Sequence, residues 1–352
     1  MTDIWFQAFG AGIAALGDYL WAHVLTCLIP AFFIAGAMSA LLPKEVITKH
    51  LGCRVPIYKA YPLAVVAALF LAVCSCTILP LFAGILKKGA GIGPAIAFLY
   101  TAPATNVLAI TFTGSVIGWD FALARILLSV SFAILIGIII SRLFKGEEKK
   151  AEKELVCDHV KVSKAGYRKL FLFFATLFAI LIIGAAKINL DVKAGGMLAL
   201  IAFLVIQLKY CFTRDEILSW LNNTNMFFKM IFPLLLVGVF AAGVLTALIP
   251  ENFLGTYVGT NTLLPTLAAV LFGVFMYFPT LVEVPMAKMF LGLGMAKGPL
   301  LAYLLADPVI SLPTMLVIRK LMGGKRTLVY VLLIITFTTI SGLIYGSLVG
   351  SS

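Results

Sequence analysis

Apolar positions in this chain come in long runs, not in the alternation of a half-buried strand or the single stripe of a soluble helix. The stretches 19–42, 121–143, 170–186, 194–210, 226–249 and 327–349 are each about long enough to cross a bilayer as helix. Two further stretches, 93–118 and 298–318, have that length but are interrupted. Each opens on Gly-Pro (Gly93-Pro94, Gly298-Pro299) and meets a second proline further on, Pro103 or Pro308. This predicts spans broken near their middle. Residues 60–76 are apolar and end at Cys74-Ser-Cys76, and Thr77 to Leu86 then runs to Lys87-Lys88. Ten residues of helix rise only ~15 Å, about half of a ~30 Å hydrocarbon core. Residues 60–88 are therefore expected to form a re-entrant hairpin with the Cys pair near its tip, and 263–293 a second one. Residues 3–16 read as an interfacial helix, 213–223 as a short polar helix, and 142–169, with nine Lys/Arg and five Asp/Glu, as a solvated cytosolic linker.

The expected fold is an all-α polytopic membrane protein with about eight full spans, each hairpin counting as none. Composition agrees: 62% of residues are hydrophobic and 12% charged, and the mean hydropathy is +1.09. A soluble domain is about 45–50% apolar and about 25% charged. The lipid bilayer is thus a partner. The net charge of +12 resides mostly in loops, so it reports topology and not nucleic-acid binding. Six Cys at 27, 53, 74, 76, 157 and 211 show no paired framework. His23, His50 and His159 are isolated and predict no metal site. A phosphate-cradling Gly-x-x-x-x-Gly-Lys loop is absent, which argues against a hydrolase. Neither an enzyme nor a cofactor is expected. The start, with Asp3 and no basic region, does not read as a secretory signal.

The chain is internally related. Ala35–Gly52 aligns on Ala242–Gly259 with six of eighteen residues identical, and Pro80–Pro103 on Pro285–Pro308 with eight of twenty-four. The offsets are 207 and 205. This divides the chain into a first repeat (1–145), the linker (146–168), two extra spans (169–212) and a second repeat (213–352). Loop 44–59 holds four basic residues, whereas 250–262 holds none. Loop 319–326 holds Arg319, Lys320, Lys325 and Arg326, whereas 117–125 has only Arg125. Matching loops thus fall on opposite sides, the mark of inverted repeats, with both termini outside. The spans at 170–210 lack repeat partners and would suit a scaffold for a homodimer.

Inverted repeats with paired hairpins and broken spans are the architecture of a secondary transporter. A helix broken in lipid strands N–H and C=O groups, so a break must be enclosed by protein or line a cavity. The candidate substrate-binding residues are Cys74, Cys76, Thr101, Thr105 and Asn106 in the first half and Ser311 in the second. The coupling candidates are Glu283 and Asp307. A Cys-x-Cys pair suits a soft, thiophilic solute such as trivalent arsenic or Cu(I); small packing residues at a turn are the alternative. A carboxyl at mid-membrane costs ~2.5–3.5 kcal/mol on insertion scales and usually faces a polar path or a partner, which suits Glu283 to proton coupling. Asp307 immediately precedes Pro308, the pattern of a helix N-cap, so its structural reading stands ahead of substrate binding. Thr101, Thr105 and Asn106 equally suit satisfaction of the break.

These motifs carry a resemblance. Cys74-Ser-Cys76 with Pro80-Leu-Phe-Ala-Gly-Ile-Leu-Lys-Lys-Gly-Ala, Gly93-Pro94 and Ala102-Pro103-Ala-Thr-Asn106 resemble the predicted-permease family that includes the organoarsenical efflux permeases (ArsP). Pro279-Thr-Leu-Val-Glu-Val-Pro285 and Leu305-Ala-Asp-Pro-Val-Ile-Ser-Leu-Pro313 resemble the second half of such proteins. The resemblance implies a prokaryotic plasma-membrane efflux permease for a small molecule, with thiol contacts on Cys74 and Cys76. The second hairpin has Pro279-Thr280-Leu281 where some relatives carry Cys. A transmembrane thiol–disulfide relay and a channel are the rival classes. The relay is disfavoured because two thiols two residues apart form a strained disulfide.

Overall fold

The computed structural model describes residues 2–20, 28–41, 44–52, 55–71, 75–105, 107–145, 164–185, 190–248, 258–275 and 280–349. Among these the regular structure is entirely helical. In chain order the helices are α1 (Thr2–Tyr19), α2 (Ile29–Leu41), α3 (Lys44–Leu51), α4 (Ile57–Leu71), α5 (Ser75–Lys87), α6 (Ile92–Ala104), α7 (Val107–Val116) and α8 (Trp119–Leu143). There follow α9 (Lys164–Ala185), α10 (Leu190–Cys211), α11 (Arg214–Leu248), α12 (Leu263–Phe275), α13 (Thr280–Gly292), α14 (Lys297–Ile310), α15 (Leu312–Met322) and α16 (Gly324–Val349). By length and composition, described stretches of α8, α11 and α16 can each cross a membrane. Two bent pairs reach that length together, α6 with α7 (43°) and α14 with α15 (47°).

Several expectations shift. Residues 213–223 are not a separate polar helix but the first turns of α11, which runs through Pro233 for 35 residues. Glu216 and Thr213 close its start with reciprocal bonds, Thr213 N–H to Glu216 Oε2 (2.8 Å) and Glu216 N–H to Thr213 Oγ1 (3.3 Å). Nothing at 224–226 stops the helix, because Asn and Thr are tolerated where their side chains bond back to the preceding turn, as Thr224 does to Trp220 O (2.9 Å). The N-terminal helix α1 packs on α11 with Gly12 against Phe240 and Gly243. The breaks fall just beyond Pro103 and Pro308. Both prolines lie inside their helices, α6 and α14, and the bends come after Ala104 and at Ser311. A proline disturbs the turn before it, where an acceptor loses its donor, and the chain departs from the axis a few residues later.

The two halves share their special backbone positions. Gly89 (φ 89°) and Gly294 (φ 95°) are 205 residues apart, and so are Gly118 (φ 141°) and Gly323 (φ 85°). All four have left-handed φ, which glycine adopts without steric cost. The same turn follows each second hairpin arm: Ala90 N–H bonds Ile85 O at 3.1 Å, and Met295 N–H bonds Phe290 O at 3.0 Å. Gly91 N–H reaches Leu51 O at 2.7 Å and Ala296 N–H reaches Val258 O at 3.0 Å. Each half also has a glycine crossing at a matched position. A Cβ on Gly93 would lie 2.8 Å from Gly137 O, and a Cβ on Gly298 would lie 2.5 Å from Gly342 O.

The halves meet through their own equivalents. Tyr100 Oη donates to Leu305 O at 3.1 Å, and the rings of Phe132 and Phe337 stack with centroids 5.5 Å apart. Each pair is separated by 205 positions. Other contacts between the halves are reciprocal, α5 on α15 and α13 on α7. Helices α4 and α5 both pack on α6, and α12 and α13 both pack on α14. α6 is buried along its whole length and α14 from Gly298 to Ile310.

Candidate functional site

Helix α8 buries Phe121, Ala122, Arg125, Ser129, Phe132, Ala133 and Ile136, the spacing of a single helical face. Arg125 lies on that face and is fully buried. It is therefore not the loop cation that the sequence suggested. Six residues into α8, its Cα sits ~9 Å below the helix start, and its neighbours on the face hold it inward. Its Nη2 donates to Glu283 Oε1 at 2.9 Å, joining α8 of the first half to the first turn of α13 in the second. Its Nη1 donates to Thr113 Oγ1 at 3.3 Å, and that hydroxyl donates to Ala109 O at 2.7 Å. Glu283 is 1% exposed. Removing one partner of such a pair leaves an uncompensated buried charge, which costs about 3–5 kcal/mol.

Asp307 joins this group from α14. It is 2% exposed and lies inside the helix, three residues before Ile310. The N-cap expected of it belongs instead to Ser311, with Pro313 in the first turn of α15. Ser311 Oγ and Thr314 Oγ1 bond each other at 2.9 Å, which occupies the hydroxyls of that turn locally. Asp307 thus has no capping role. Tyr303, four residues earlier on the same face of α14, is fully buried. Its ring packs on Phe272 and Phe290, one from each arm of the second hairpin, at 6.2 and 5.6 Å. Gly273 lets the first arm approach: a Cβ there would lie 3.0 Å from Tyr303 Cδ2 and 3.4 Å from Asp307 Cβ. Arg125, Glu283, Asp307 and Tyr303 lie within electrostatic reach of one another, and Tyr100 lies within reach of Arg125. Among the described residues, Arg125 Nε, Glu283 Oε2, Asp307 Oδ1 and Tyr303 Oη have no hydrogen-bond partner. Two carboxyls and one guanidinium share a site closed to solvent. If all were ionised, the group would hold one uncompensated negative charge.

The first half presents a different face. Thr105 Oγ1 donates to Thr101 O at 2.7 Å, which satisfies a carbonyl at the break, while Thr101 Oγ1 is buried without a partner among the described residues. Cys76 lies in the first turn of α5, described by its backbone alone, and Cys74 and Asn106 lie outside the described residues. Sequence reading identified Glu283 and Asp307 but missed Arg125 and Tyr303. Arg125 was legible as a charge beyond the start of an otherwise apolar run. Tyr303 was not, since a tyrosine in an apolar helix is ordinary core.

A family profile described as a predicted permease matches residues 11–347. The UPF0718 protein MJ0584 of Methanocaldococcus jannaschii is 39% identical over 341 residues, covering 94% of this chain and 93% of its own. The UPF0718 protein YraQ of Escherichia coli is 22% identical over 344 residues, covering 94% of this chain and 80% of its own. No solved structure is significantly similar. With the buried helical frame and its enclosed polar group, this near-complete match shows that the chain is a multi-pass membrane protein belonging to the predicted-permease family.

Proposed function

We propose that this permease is a secondary transporter in the plasma membrane of a prokaryote, working by alternating access between inverted repeats, 1–145 and 213–352. A small solute crosses where the two hairpins meet the two broken spans. The observation that carries this reading is the buried Arg125–Glu283 bridge with Asp307 beside it. Ionisable groups at such depth, joining the two halves next to an interrupted helix, mark a solute or ion pathway. With eight full spans in this arrangement, the charged linker 146–168 belongs on the cytosolic side. The spans 169–212 lie outside both repeats, where they suit a homodimer scaffold.

The hypothesis for cargo is a thiophilic solute such as a trivalent organoarsenical, moved outward and coupled to protons. Cys74 and Cys76 supply soft ligands at the first hairpin, with Thr101, Thr105, Asn106 and Ser311 lining the breaks. Everted membrane vesicles loaded by uptake of trivalent methylarsenite test it. Wild type is expected to accumulate the arsenical, with Cys74→Ser and Cys76→Ser each reducing uptake at least tenfold. Equal uptake by all three proteins removes the thiol role. Uptake unaffected by collapsing the pH gradient removes proton coupling and favours a channel.

A further inference from the structure

We propose that Asp307, not Glu283, is the carboxyl that binds and releases the proton, with Arg125 holding Glu283 as its fixed counter-charge and Tyr303 as the hydrogen-bond partner of Asp307. The role in coupling rests on the permease reading above; the protonation itself does not. Glu283 is committed, since its Oε1 lies 2.9 Å from Arg125 Nη2 with both side chains out of solvent. Protonating Glu283 would strand that guanidinium, which has no other carboxylate bonded to it among the described residues. Asp307 is the second carboxyl of a group with one cation. A proton on it brings the charge of the site to zero.

The surroundings fit a proton that comes and goes. The groups facing Asp307 are Glu283 on α13, Arg125 on α8 and Tyr303 on its own helix. On the other helices packed around α14, the titratable groups at this interface are Tyr100 of α6 and Tyr330 of α16. A tyrosine hydroxyl donates to a carboxylate and accepts from a carboxylic acid. Tyr303 can therefore serve Asp307 in both states, and neither its Oη nor Asp307 Oδ1 is engaged elsewhere among the described residues. The position of Asp307 gives the proton a consequence. It lies four residues before Ser311, where the α14–α15 span bends by 47°, and under Gly273 of the hairpin arm. Charging Asp307 adds a negative charge between two elements that pack directly on each other.

Infrared difference spectroscopy on the purified full-length protein in detergent reads this without any solute. Wild type is expected to show one carboxylic-acid C=O band at neutral pH that shifts in D₂O. Asp307→Asn, nearly isosteric, removes it. Glu283→Gln also removes it, because Arg125 is then balanced by Asp307 alone. Arg125→Gln enlarges it about twofold, as both carboxyls take protons. Tyr303→Phe keeps the band and moves it to higher frequency. A wild-type band that shifts with ¹³C-glutamate labelling and not with ¹³C-aspartate labelling puts the proton on Glu283 and overturns the proposal, as does a band that survives Asp307→Asn in a monodisperse preparation or a wild-type band that vanishes when sodium replaces choline. Loss of methylarsenite uptake has no bearing on these bands: wild-type protein that shows the band but carries no arsenical retains the proton site and loses only the cargo.

Discussion

Glu283 stands where the first half, 205 residues earlier, has Ile78; Asp307 stands opposite Ala102, and Tyr303 opposite Phe98. Arg125 has Tyr330 as its counterpart. Cys74 and Cys76 correspond to Pro279 and Leu281. Among the described residues the halves nevertheless share left-handed glycines, turn hydrogen bonds and glycine crossings at matched positions. Both halves thus use one frame, and the charged chemistry is confined to the second hairpin and its broken span, with Arg125 donated from the first half. The difference teaches that a duplicated frame need not carry duplicated chemistry. A site between the halves can take its carboxyls from one and its cation from the other.

The comparison can be broken most severely at the bridge. Arg125→Leu leaves Glu283 buried without its cation, and a loss of about 3–5 kcal/mol is expected. Arg125→Leu/Glu283→Leu should recover most of it, since an apolar pair of similar volume carries no desolvation cost. Unfolding midpoints of the purified proteins in one detergent read both, and a double variant no better than the single would deny the bridge its weight. The corresponding change in the frame, Tyr330→Leu, removes no charge and is expected to cost less.

The glycine crossings sharpen the shared part. Gly93→Ala and Gly298→Ala each force a methyl against a carbonyl oxygen and should each cost about 1–3 kcal/mol. Similar losses in both support one frame used twice; a tolerated alanine in either half would separate them. The smallest effect belongs to the Tyr100–Leu305 contact. Tyr100→Phe deletes the bond to Leu305 O and should cost about 0.5–1.5 kcal/mol without changing uptake. Differential unfolding under identical conditions resolves it, and a loss several-fold larger would make that hydroxyl part of the polar site.

Glu283 was legible because a carboxyl inside an apolar segment needs a reason wherever it occurs. Asp307 was seen, but its neighbour Pro308 suggested a cap; α14 instead continues to Ile310 and the bend falls at Ser311. Propensity reads a proline as a boundary, whereas the packed helices around α14 hold the turn in place beyond it. The same override merges 213–223 into α11. Arg125 was counted as a loop cation because loop limits are the least certain part of an apolar run. Its burial removes the one basic residue from 117–125, so the charge contrast with 319–326 is sharper than the sequence count implied.

By itself the sequence determined the membrane class, the helical fold and the two interruptions near the prolines. These depend on run length, on glycine and proline, and on spacing, all of which are local or periodic. Only the tertiary structure decided that Arg125 meets Glu283, 158 positions away, and that Asp307 is left without a cation of its own. Which buried polar groups share a site depends on how helices cross, and no pattern along one helix carries that information.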